Sequence, residues 1–456
     1  MGRQLCAPGR LPMSEPVVVI GAGLAGSEAA WQIAQRGVPV RLYEMRPEVR
    51  TPAHVTGLFA ELVCSNSLGS TLTDRAPGVL KEELRQLGSL ILSVAECTSV
   101  PAGRALAVDR ERFAAAVTER ITGHPLIEVV RQEVKSIPTD GVVVVAAGPL
   151  ASDSLSADIA RLAGSDAIAF FDAMAPIVTV ESVNMNVAFR ASRYDKDGDY
   201  INCPMSEAEY DRFVEALATA ETAPLHGFET GDRRFFEACL PVEVMARRGR
   251  LVLAYGPLRP VGIRDPRTGR RPFAVVQLRQ DNGAGSLYNM VGFQTNLRFG
   301  EQERVFRLIP GLERVEFVRY GQMHRNTFID SPRLLEPTFE FRRRRGLFFA
   351  GQITGTEGYM GSTASGLMAG INAARRALGL GPVVCPPETV IGALSHYISN
   401  EAIKDFQPMK ANFGLMPPLA EDPGSHSRKA AFRDRALAAM QAFILGEDLL
   451  PKGATA

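Results

Sequence analysis

The sequence lacks any apolar run of the roughly 18 to 20 residues that a membrane-spanning helix requires. Its longer apolar stretches, such as residues 141–149, are interrupted by glycine or proline. The first twelve residues include two arginines but no apolar segment of the kind that a secretion signal needs. We therefore expect a cytoplasmic protein that does not enter a membrane, with residues 1–13 as an N-terminal extension or a misassigned start.

Closely spaced cysteines are also missing. The cysteines stand at positions 6, 64, 97, 203, 239 and 385, so no C-x-x-C pair exists. This spacing argues against a zinc knuckle and against a flavin-dependent thiol–disulfide reductase, and it gives no support to a disulfide framework. We expect free thiols and no bound metal.

Net charge is nearly absent, because 51 lysines and arginines are balanced by 50 acidic residues. The local balance is different. Residues 241–280 contain nine arginines against Glu243 and Asp265, and residues 342–345 are four arginines in a row. Most charge runs are solvated surface. Because arginine suits bidentate phosphate binding, two arginine clusters nevertheless favour a phosphate-rich partner.

The chain has the composition of a globular protein with an ample core. It contains 456 residues, of which 46% are hydrophobic and 22% charged. Such a length is typical of two or three domains. This composition excludes a disordered, collagen-like or coiled-coil protein.

A glycine-rich turn follows the first apolar segment, residues 16–20, and leads into a predicted helix that ends at Gly37. A second β-rich segment, residues 38–43, ends on Glu44. This is the G-x-G-x-x-G fingerprint in its β–α–β context, where the glycines admit a pyrophosphate and the acidic residue accepts from ribose hydroxyls. An acidic residue favours FAD or NAD over a 2′-phosphate. The turn consists of Gly21, Ala22, Gly23, Leu24, Ala25 and Gly26.

Two further strand–turn units favour FAD. Residues 141–147 form a buried-strand run that leads to Gly148, and residues 346–350 lead into a second glycine-rich turn and a small-residue helix predicted over 362–378. A helix N-terminus there would direct unpaired amides at the anionic locus of a reduced flavin. The alternative is a plain strand–turn–helix connection. The candidate residues of this turn are Gly351, Gln352, Gly355, Gly358 and Tyr359.

The residues between these strand–turn units show a different pattern of polar and apolar residues. Residues 206–209 form a capping box, and Tyr210, Phe213, Val214 and Leu217 follow at amphipathic helix spacing. Strand-like pieces follow at residues 250–254 and 273–278.

We predict an α/β protein whose Rossmann-like, glutathione-reductase-like FAD-binding domain is discontinuous. That domain would comprise residues 14–182 and 321–420. Residues 183–320 would form a smaller α+β insertion domain, and residues 421–456 a tail with a short helix.

Two cysteines stand in segments suited to chemistry. Cys64 lies in a polar, turn-prone segment shortly after Glu44, and Cys239 directly precedes the arginine-rich residues. A cysteine is most often a small buried hydrophobe. Nearby arginines would, however, lower the pKa of a thiol and favour the reactive thiolate.

Together these segments resemble the TrmFO family, the folate- and FAD-dependent tRNA methyltransferases. The resemblance covers roughly residues 17–418 and rests on long motifs. They are TPAH (51–54), LVCSNSL (62–68), FFEACLPVEVMARRG (235–249), MHRNTFIDSP (323–332), GQITGTEGY (351–359) and FQPMKANFGLMPP (406–418).

The resemblance implies methylation of carbon 5 of the uridine at position 54 in the tRNA T-loop. The carbon would come from 5,10-methylenetetrahydrofolate, and NADH or NADPH would supply reducing equivalents through FAD. The chemistry agrees, because a thiolate that adds to C6 of uracil turns C5 into a nucleophile. Reduced flavin can then supply the hydride that completes the methyl group.

Residue roles also follow from the resemblance. Cys239 would be the nucleophile, and Cys64 a second thiol that assists C5 deprotonation or thiol release. Tyr359 would stack on the flavin or gate folate, unless it is a core tyrosine. The folate pocket would include His324, Asn412 and Phe413, each of which could equally be structural.

Arginines next to Cys239 are the first candidates for binding the phosphates of the tRNA T-arm, with steep salt dependence as the expected consequence. These are Arg247, Arg248 and Arg250, followed by Arg342 and Arg343.

Two other functions remain open. One is the flavoprotein that installs carboxymethylaminomethyl groups on wobble uridines, which should have a long C-terminal helical domain. The other is a non-catalytic, FAD-containing RNA-binding protein, which would tolerate loss of Cys239.

Overall fold

The computed structural model describes residues 15–51, 53–164, 168–193, 198–223, 240–404, 406–420 and 427–449. Within these ranges, residues 168–173 and 324–327 are described by their backbone alone. No helix in these ranges is both long and apolar enough to span a lipid bilayer.

The strands in the described ranges are β1 (Val17–Ile20), β2 (Val40–Glu44), β3 (Ser67–Ser70), β4 (Ser99–Val100), β5 (Ala105–Val108), β6 (Ile127–Arg131), β7 (Val143–Val145), β8 (Ile168–Ala173), β9 (Ile177–Thr179), β10 (Phe189–Arg190), β11 (Tyr200–Met205), β12 (Ala274–Gln280), β13 (Leu287–Met290), β14 (Phe317–Arg319), β15 (Met323–Phe328), β16 (Leu347–Phe349), β17 (Thr356–Glu357) and β18 (Met409–Lys410).

The helices are α1 (Leu24–Gln35), α2 (Ala76–Gln86), α3 (Leu90–Cys97), α4 (Arg110–Thr122), α5 (Asp153–Ala163), α6 (Glu207–Thr219), α7 (Val242–Arg248), α8 (Val252–Tyr255), α9 (Phe299–Phe306), α10 (Ser331–Leu334), α11 (Tyr359–Ala377), α12 (Val390–Ile398) and α13 (Arg428–Gly446). Among the described residues, two short 3-10 helices cover Gln352–Thr354 and Phe413–Leu415.

The first sheet is parallel and has the strand order β16-β7-β1-β2-β6. Its central strand β1 is almost wholly buried, as expected for a strand covered by helices on both faces. The predicted β–α–β unit and the two later strands are confirmed within a few residues. The α/β class with a dinucleotide-binding sheet is therefore confirmed.

Helices α1 and α11 cross at backbone distance on one face of this sheet. A Cβ atom built on Gly366 would lie 2.2 Å from the carbonyl oxygen of Ala25, and one on Gly370 would lie 2.7 Å from that of Ala29. Real Cβ atoms do not approach so closely, so only glycine permits this crossing. Both glycines lie in the small-residue helix that the sequence predicts over residues 362–378.

The second sheet is antiparallel, with the order β10-β11-β12-β13-β9-β14. One face carries a separate apolar core that includes Val276 and Leu278 and packs against α6. The predicted capping box of α6 is present, since Ser206 accepts from the Glu209 amide and Glu209 bonds back to Ser206. Strand β9 belongs to this sheet, so the sheet begins slightly before residue 183.

The prediction of a strand over residues 250–254 is wrong, because residues 252–255 form helix α8. A short apolar run carries no reliable period. Leu253 and Ala254 are both buried. Because successive residues of a strand point to opposite faces, one helical turn is the conformation that buries this adjacent pair on one side.

Two elements extend the first domain. The ribbon of β8 and β15 is antiparallel and lies in sequence between the two large sheets. Helix α13 has 19 residues and buries Phe432, Ala436 and Met440 in the first core. The residues after 420 thus include a long helix that belongs to this core, where the sequence had indicated a short one.

Candidate active site

A cleft opens at the carboxyl edge of the parallel sheet, where the turns after four strands converge. It encloses about 1040 Å³ of empty space, part of it open to solvent. Its lining includes Gly21 and Gly23 after β1, Glu44 at the end of β2, Gly148 after β7, and Gly351 after β16. Ligands of open parallel sheets bind at this edge. The structure therefore brings together the predicted cofactor residues of four separate segments.

The turn after β1 fits a pyrophosphate. A Cβ atom on Gly26 would lie 1.8 Å from the carbonyl oxygen of Gly21, so this glycine is required by protein packing. A Cβ atom on Gly23 would meet no protein atom within 4 Å, so that side of the turn faces open space. Helix α1 begins there without a side-chain cap, which leaves its first amides available to an anion.

Glu44 is held by its neighbours more tightly than the sequence indicated. Its carboxylate accepts from the amides of Ala22 and Arg46, both at 3.0 Å, and from the guanidinium of Arg46 at 2.9 and 3.2 Å. Burial alone would raise the pKa of this carboxyl, but the hydrogen bonds and charge of Arg46 hold it below the ordinary value. A ribose hydroxyl would therefore share this carboxylate with Arg46.

The late glycine-rich turn lies across the cleft from the first. Gly355 and Gly358 flank β17, and Gln352 donates to the carboxylate of Glu357 at 2.9 Å. Helix α11 begins after Gly358 without a side-chain cap, and its first residue, Tyr359, lines the cleft. A second uncapped helix N-terminus therefore faces the same space, as predicted for a flavin site. The glycine turns, the cleft and the two helix ends together fit a bound FAD.

Tyr359 joins this turn to the segment around Cys64. The Tyr359 hydroxyl oxygen accepts from the amides of Cys64 at 2.9 Å and Ser65 at 3.1 Å. Burial raises the pKa of Tyr359, with the nearby charge of Cys64 as a further cause, so the phenol keeps its proton at neutral pH. These contacts place a thiol-bearing loop beside the N-terminus of α11.

Three arginines that sequence reasoning did not single out hold the same loop. Arg110 and Arg319 donate to the carbonyl oxygen of Cys64 at 3.3 and 3.2 Å. Arg279 donates to the hydroxyl of Ser65 at 2.6 Å and to the side-chain oxygen of Asn66 at 3.0 Å. One arginine begins α4, and the other two lie on β12 and β14 of the second sheet.

This arginine cluster is short of negative charge. Arg110 forms an ion pair with Asp281 at 2.9 Å, and that carboxylate also faces the other two arginines. Burial lowers the pKa of Arg319 to about 10, with Arg110 as a further cause and the charges of Asp281, Tyr359 and Cys64 acting in the opposite direction. A surplus of positive charge around a thiol favours its thiolate.

Cys239, the predicted nucleophile, lies outside the described residues. The backbone of His324 is on β15, paired with Asp172, and its side chain is not among those described. Asn412 is exposed and donates to the carbonyl oxygen of Lys410 at 2.8 Å. Phe413 stacks on Phe432 of α13 with ring centroids 5.5 Å apart. The pairing of β17 with β18 brings this segment beside the N-terminus of α11.

Several predicted phosphate-binding arginines already have protein partners. Arg247 donates to the carbonyl oxygen of Ala218 at 2.9 Å, near the end of α6. Arg250 forms ion pairs with Glu207 at 2.7 Å and Asp211 at 2.6 Å. Arg248 is exposed.

Arg342 and Arg343 precede β16, at the amino edge of the parallel sheet, opposite the cleft. Arg342 pairs with Glu336 at 2.9 Å, and Arg343 donates to the carbonyl oxygen of Ala163 at 3.2 Å. Their geometry favours a structural role.

Within the described ranges, no group of three or more histidine, cysteine, aspartate or glutamate side chains is arranged to hold a metal ion. The described cysteines, at positions 64, 97, 203 and 385, are free thiols.

The fold is that of an FAD-binding α/β protein with a Rossmann-like sheet and a second, inserted sheet. The family described as "Glucose inhibited division protein A" matches residues 16–381. Among solved structures, GidA of Aquifex aeolicus aligns with a TM-score of 0.70 at 18% identity, covering 96% of this chain and 74% of that one.

Curated relatives are much more similar in sequence. One from Symbiobacterium thermophilum is 62% identical over 440 residues, covering 95% of this chain and 98% of the relative. One from Desulforudis audaxviator is 58% identical over 442 residues, covering 97% of this chain and all of the relative. Both are named methylenetetrahydrofolate–tRNA-(uracil-5-)-methyltransferase TrmFO. The chain belongs to the TrmFO family.

Proposed function

We propose that this protein is a flavin-dependent methylenetetrahydrofolate–tRNA (uracil-5-)-methyltransferase that forms 5-methyluridine at position 54 of the T-loop. Relatives of this name match nearly the whole chain at 58–62% identity. The structural observation that carries the proposal is the bond from the Cys64 and Ser65 amides to Tyr359. It joins a thiol-bearing loop to the flavin end of a dinucleotide cleft.

FAD, when bound, supplies the hydride that converts a methylene group to a methyl group. The chain would hold it through the turn 21–26, through Glu44 together with Arg46, and through Gly148. At the flavin end, the contacts would come from Gly351, Gln352, Gly355, Gly358 and Tyr359. The uncapped amides of α1 and α11 support this assignment. NADH or NADPH would be the reductant, meeting the cleft transiently.

Cys239 acts as the nucleophile that adds to C6 of the uracil, and Cys64 handles the proton at C5 or assists release of the thiol. The arginines around the Cys64 loop support its thiolate form. The segment at 409–413 and His324 of β15 provide the folate pocket, since the β17–β18 pairing brings the former beside Tyr359.

The tRNA approaches along the arginine-rich surface of the second domain. Among the predicted arginines, Arg248 is exposed, and Arg247 and Arg250 would exchange their protein partners for phosphate. We add Arg259, Arg270 and Arg271. These three are exposed, and no hydrogen bond or ion pair ties their side chains to the described part of the chain. They extend the same surface and have charge to offer to phosphate.

The test is methyl transfer from folate labelled in its methylene carbon to an unmodified tRNA transcript, with FAD-loaded protein and NADH or NADPH. We expect label in 5-methyluridine of the T-loop, and its loss in Cys239→Ala and Cys64→Ala. Cys97→Ala is the matched control, because Cys97 is an exposed thiol at the end of α3. A flavin-loaded wild type that transfers no label would overturn the proposal and favour the wobble-uridine enzyme or a non-catalytic RNA-binding protein.

A further inference from the structure

The two faces of the second sheet differ in polarity. One face forms the apolar core described above, and the other buries polar side chains against the Cys64 loop. On this polar face the strand register aligns one residue from each of four neighbouring strands. They are Arg279 of β12, Asn289 of β13, Ile177 of β9 and Arg319 of β14. Residues paired across strands share a face, so these four side chains form a row.

A β-bulge places Arg319 in this row. Phe317 pairs with Val178 and Arg319 with Ile177, so two steps along β14 match one step along β9. In a regular strand Phe317 and Arg319 would share a face. Phe317 instead packs against the apolar core, and the bulge directs Arg319 to the opposite face. Bulges commonly re-aim side chains at functional sites.

Two donors in this row lack partners. The Nδ2 atom of Asn289 and the Nε atom of Arg319 are buried and form no hydrogen bond within the described residues. Asn289 is only 2% exposed. Its side-chain oxygen accepts from Arg279 at 3.5 Å, which orients the amide so that Nδ2 points away from that guanidinium. A buried donor without a partner costs about 1–3 kcal/mol, so a ligand that satisfies both donors would remove a penalty.

The surroundings indicate the kind of ligand. Ile177, 5% exposed, lies between the two donors in the row, so a flat ring bound to both donors would contact an apolar side chain. Arg319 also donates to the carbonyl oxygen of Cys64 at 3.2 Å, so the row borders the thiol loop. A planar ring with carbonyl oxygens at its edge suits one apolar contact flanked by two donors. Uracil is such a ring.

We propose that Arg319 and Asn289 bind the two carbonyl oxygens of the target uracil, with the Arg319 guanidinium at O4. This inference rests on the proposed methyltransferase function. When the thiolate adds, the S–C6 bond forms and the C5=C6 electron pair moves towards O4, which becomes an enolate oxygen. A charged donor suits the oxygen that becomes negative, and a neutral amide suits the carbonyl that does not. Arg319 is then a catalytic residue and Asn289 a binding residue.

The experiment uses FAD-loaded full-length protein and a tRNA with 5-fluorouridine at the target position. Methylenetetrahydrofolate is included, so that C5 of the thiol adduct forms a bond to the methylene carbon. Because fluorine cannot then leave C5 as a cation, the thiol cannot be eliminated, and the adduct persists and is counted on a denaturing gel. Single-turnover methylation of normal tRNA is measured in parallel. The variants are Arg319→Met, Arg319→Lys and Asn289→Leu, with Arg304→Gln as control, because Arg304 is an exposed arginine paired with Glu301 on α9.

We expect Arg319→Met to slow adduct formation and methylation by about 100-fold or more, as losing one preorganised oxyanion donor does. Flavin absorbance and tRNA affinity should match the control, and Arg319→Lys should recover part of the rate. Asn289→Leu should lower kcat/KM roughly tenfold with little change in the Tm. It removes an unpaired donor and one long contact of 3.5 Å from Arg279, which keeps its bonds to Ser65 and Asn66.

If the Arg319→Met and Asn289→Leu variants both methylate at the control rate, the inference is overturned. A rate loss that only follows loss of flavin or of folded protein would also overturn it. If the wild type itself transfers no methyl group, the proposed function fails instead, so the two failures are distinguishable.

Discussion

The cofactor cleft and the arginine cluster around the Cys64 loop are adjacent but are built in different ways. The cleft is made mainly of backbone, in glycine turns and uncapped helix ends, together with the carboxylate of Glu44 paired with Arg46. The arginine cluster is made of long side chains from three distant segments, Arg110, Arg279 and Arg319. Tyr359 belongs to both, since it begins α11 and accepts from the Cys64 loop.

The difference shows what each region requires of the chain. A pyrophosphate can be held by amides, which every residue has, provided that glycine lets the backbone approach. A reactive thiol needs fixed positive charge, which amides provide only in part. The first region is therefore sensitive to added atoms, and the second to removed ones.

Adding one methyl group should damage the cleft most. In Gly26→Ala, the new Cβ would lie 1.8 Å from the Gly21 carbonyl oxygen. We expect a loss of stability of about 3 kcal/mol or more, from overpacking against backbone, and no bound flavin. Gly23→Ala is the matched control, since its Cβ meets no protein atom within 4 Å. It should keep its Tm without flavin but bind FAD more weakly, as judged by thermal unfolding and flavin titration. Equal effects at both positions would contradict this division.

Removing a side chain should damage the arginine cluster around the Cys64 loop. Arg279→Met leaves the hydroxyl of Ser65 and the side-chain oxygen of Asn66 without their donor. Each loss costs about 1–3 kcal/mol when buried. We expect methylation to fall by about 100-fold, in keeping with about 2.7 kcal/mol of lost positioning, while FAD still binds. Flavin absorbance and methyl transfer, measured on the same sample, test this. A variant that loses flavin before it loses methyl transfer would show that the two regions are not independent.

Tyr359→Phe tests the connection between the regions. It removes the oxygen that accepts the Cys64 and Ser65 amides but leaves the ring. We expect methylation to fall roughly tenfold, equivalent to about 1.4 kcal/mol, with flavin content unchanged. Hydrogen exchange of the amides of residues 64–65 should accelerate. Unchanged exchange would show that the loop is held by the arginines alone.

The buried carboxyl of Glu83, elsewhere in the first domain, allows a test of how well two backbone amides compensate for the burial of a charge. Glu83 accepts from the amides of Val390 and Ile391 at 2.7 and 2.9 Å, and burial raises its pKa from 4.5 to about 8. Between these values the folded protein holds a proton that the unfolded chain has lost, so stability should fall as pH rises through this window. The change is about 1.4 kcal/mol per unit of pKa difference at most. Urea unfolding from pH 5 to 8.5 measures it, and Glu83→Gln should flatten the profile.

The smallest effect is expected on the tRNA surface. Arg250→Gln should leave the salt dependence of tRNA binding nearly unchanged, because Glu207 and Asp211 already neutralise its charge. The combined substitution of Arg259, Arg270 and Arg271 by glutamine should reduce the slope by about 0.7–0.9 per lost phosphate contact. Filter binding at several salt concentrations distinguishes them. A steep change in Arg250→Gln alone would show that it exchanges partners on binding.

The sequence alone was enough to predict the cleft. Its determinants are consecutive residues, and glycine spacing reports directly on backbone approach, as at Gly26 and Gly366. It also placed the Cys64 segment shortly after Glu44, and the Tyr359 contact brings this segment to the cleft. The short apolar run before Tyr255 was misread as a strand because it is too short to show a period.

The arginines at the thiol had a weaker signal. Gln277 and Arg279 are polar positions in the otherwise apolar strand β12, and their alternation indicates a polar face. That pattern does not say what the face meets. Arg319 had an even weaker sequence signal. Its spacing from Phe317 implies that the two side chains share a face, but the bulge directs Arg319 to the opposite face.

Short-range spacing and long contiguous motifs were enough to predict the parallel sheet, the dinucleotide turn and the family. The folded structure was needed to show which arginines surround Cys64, which of the surface arginines are already paired, and where, among the described residues, Asn289 and Arg319 have donors without a partner. Those features depend on strands and helices far apart in the chain. Their juxtaposition is set by sheet register and domain packing, which no local pattern encodes.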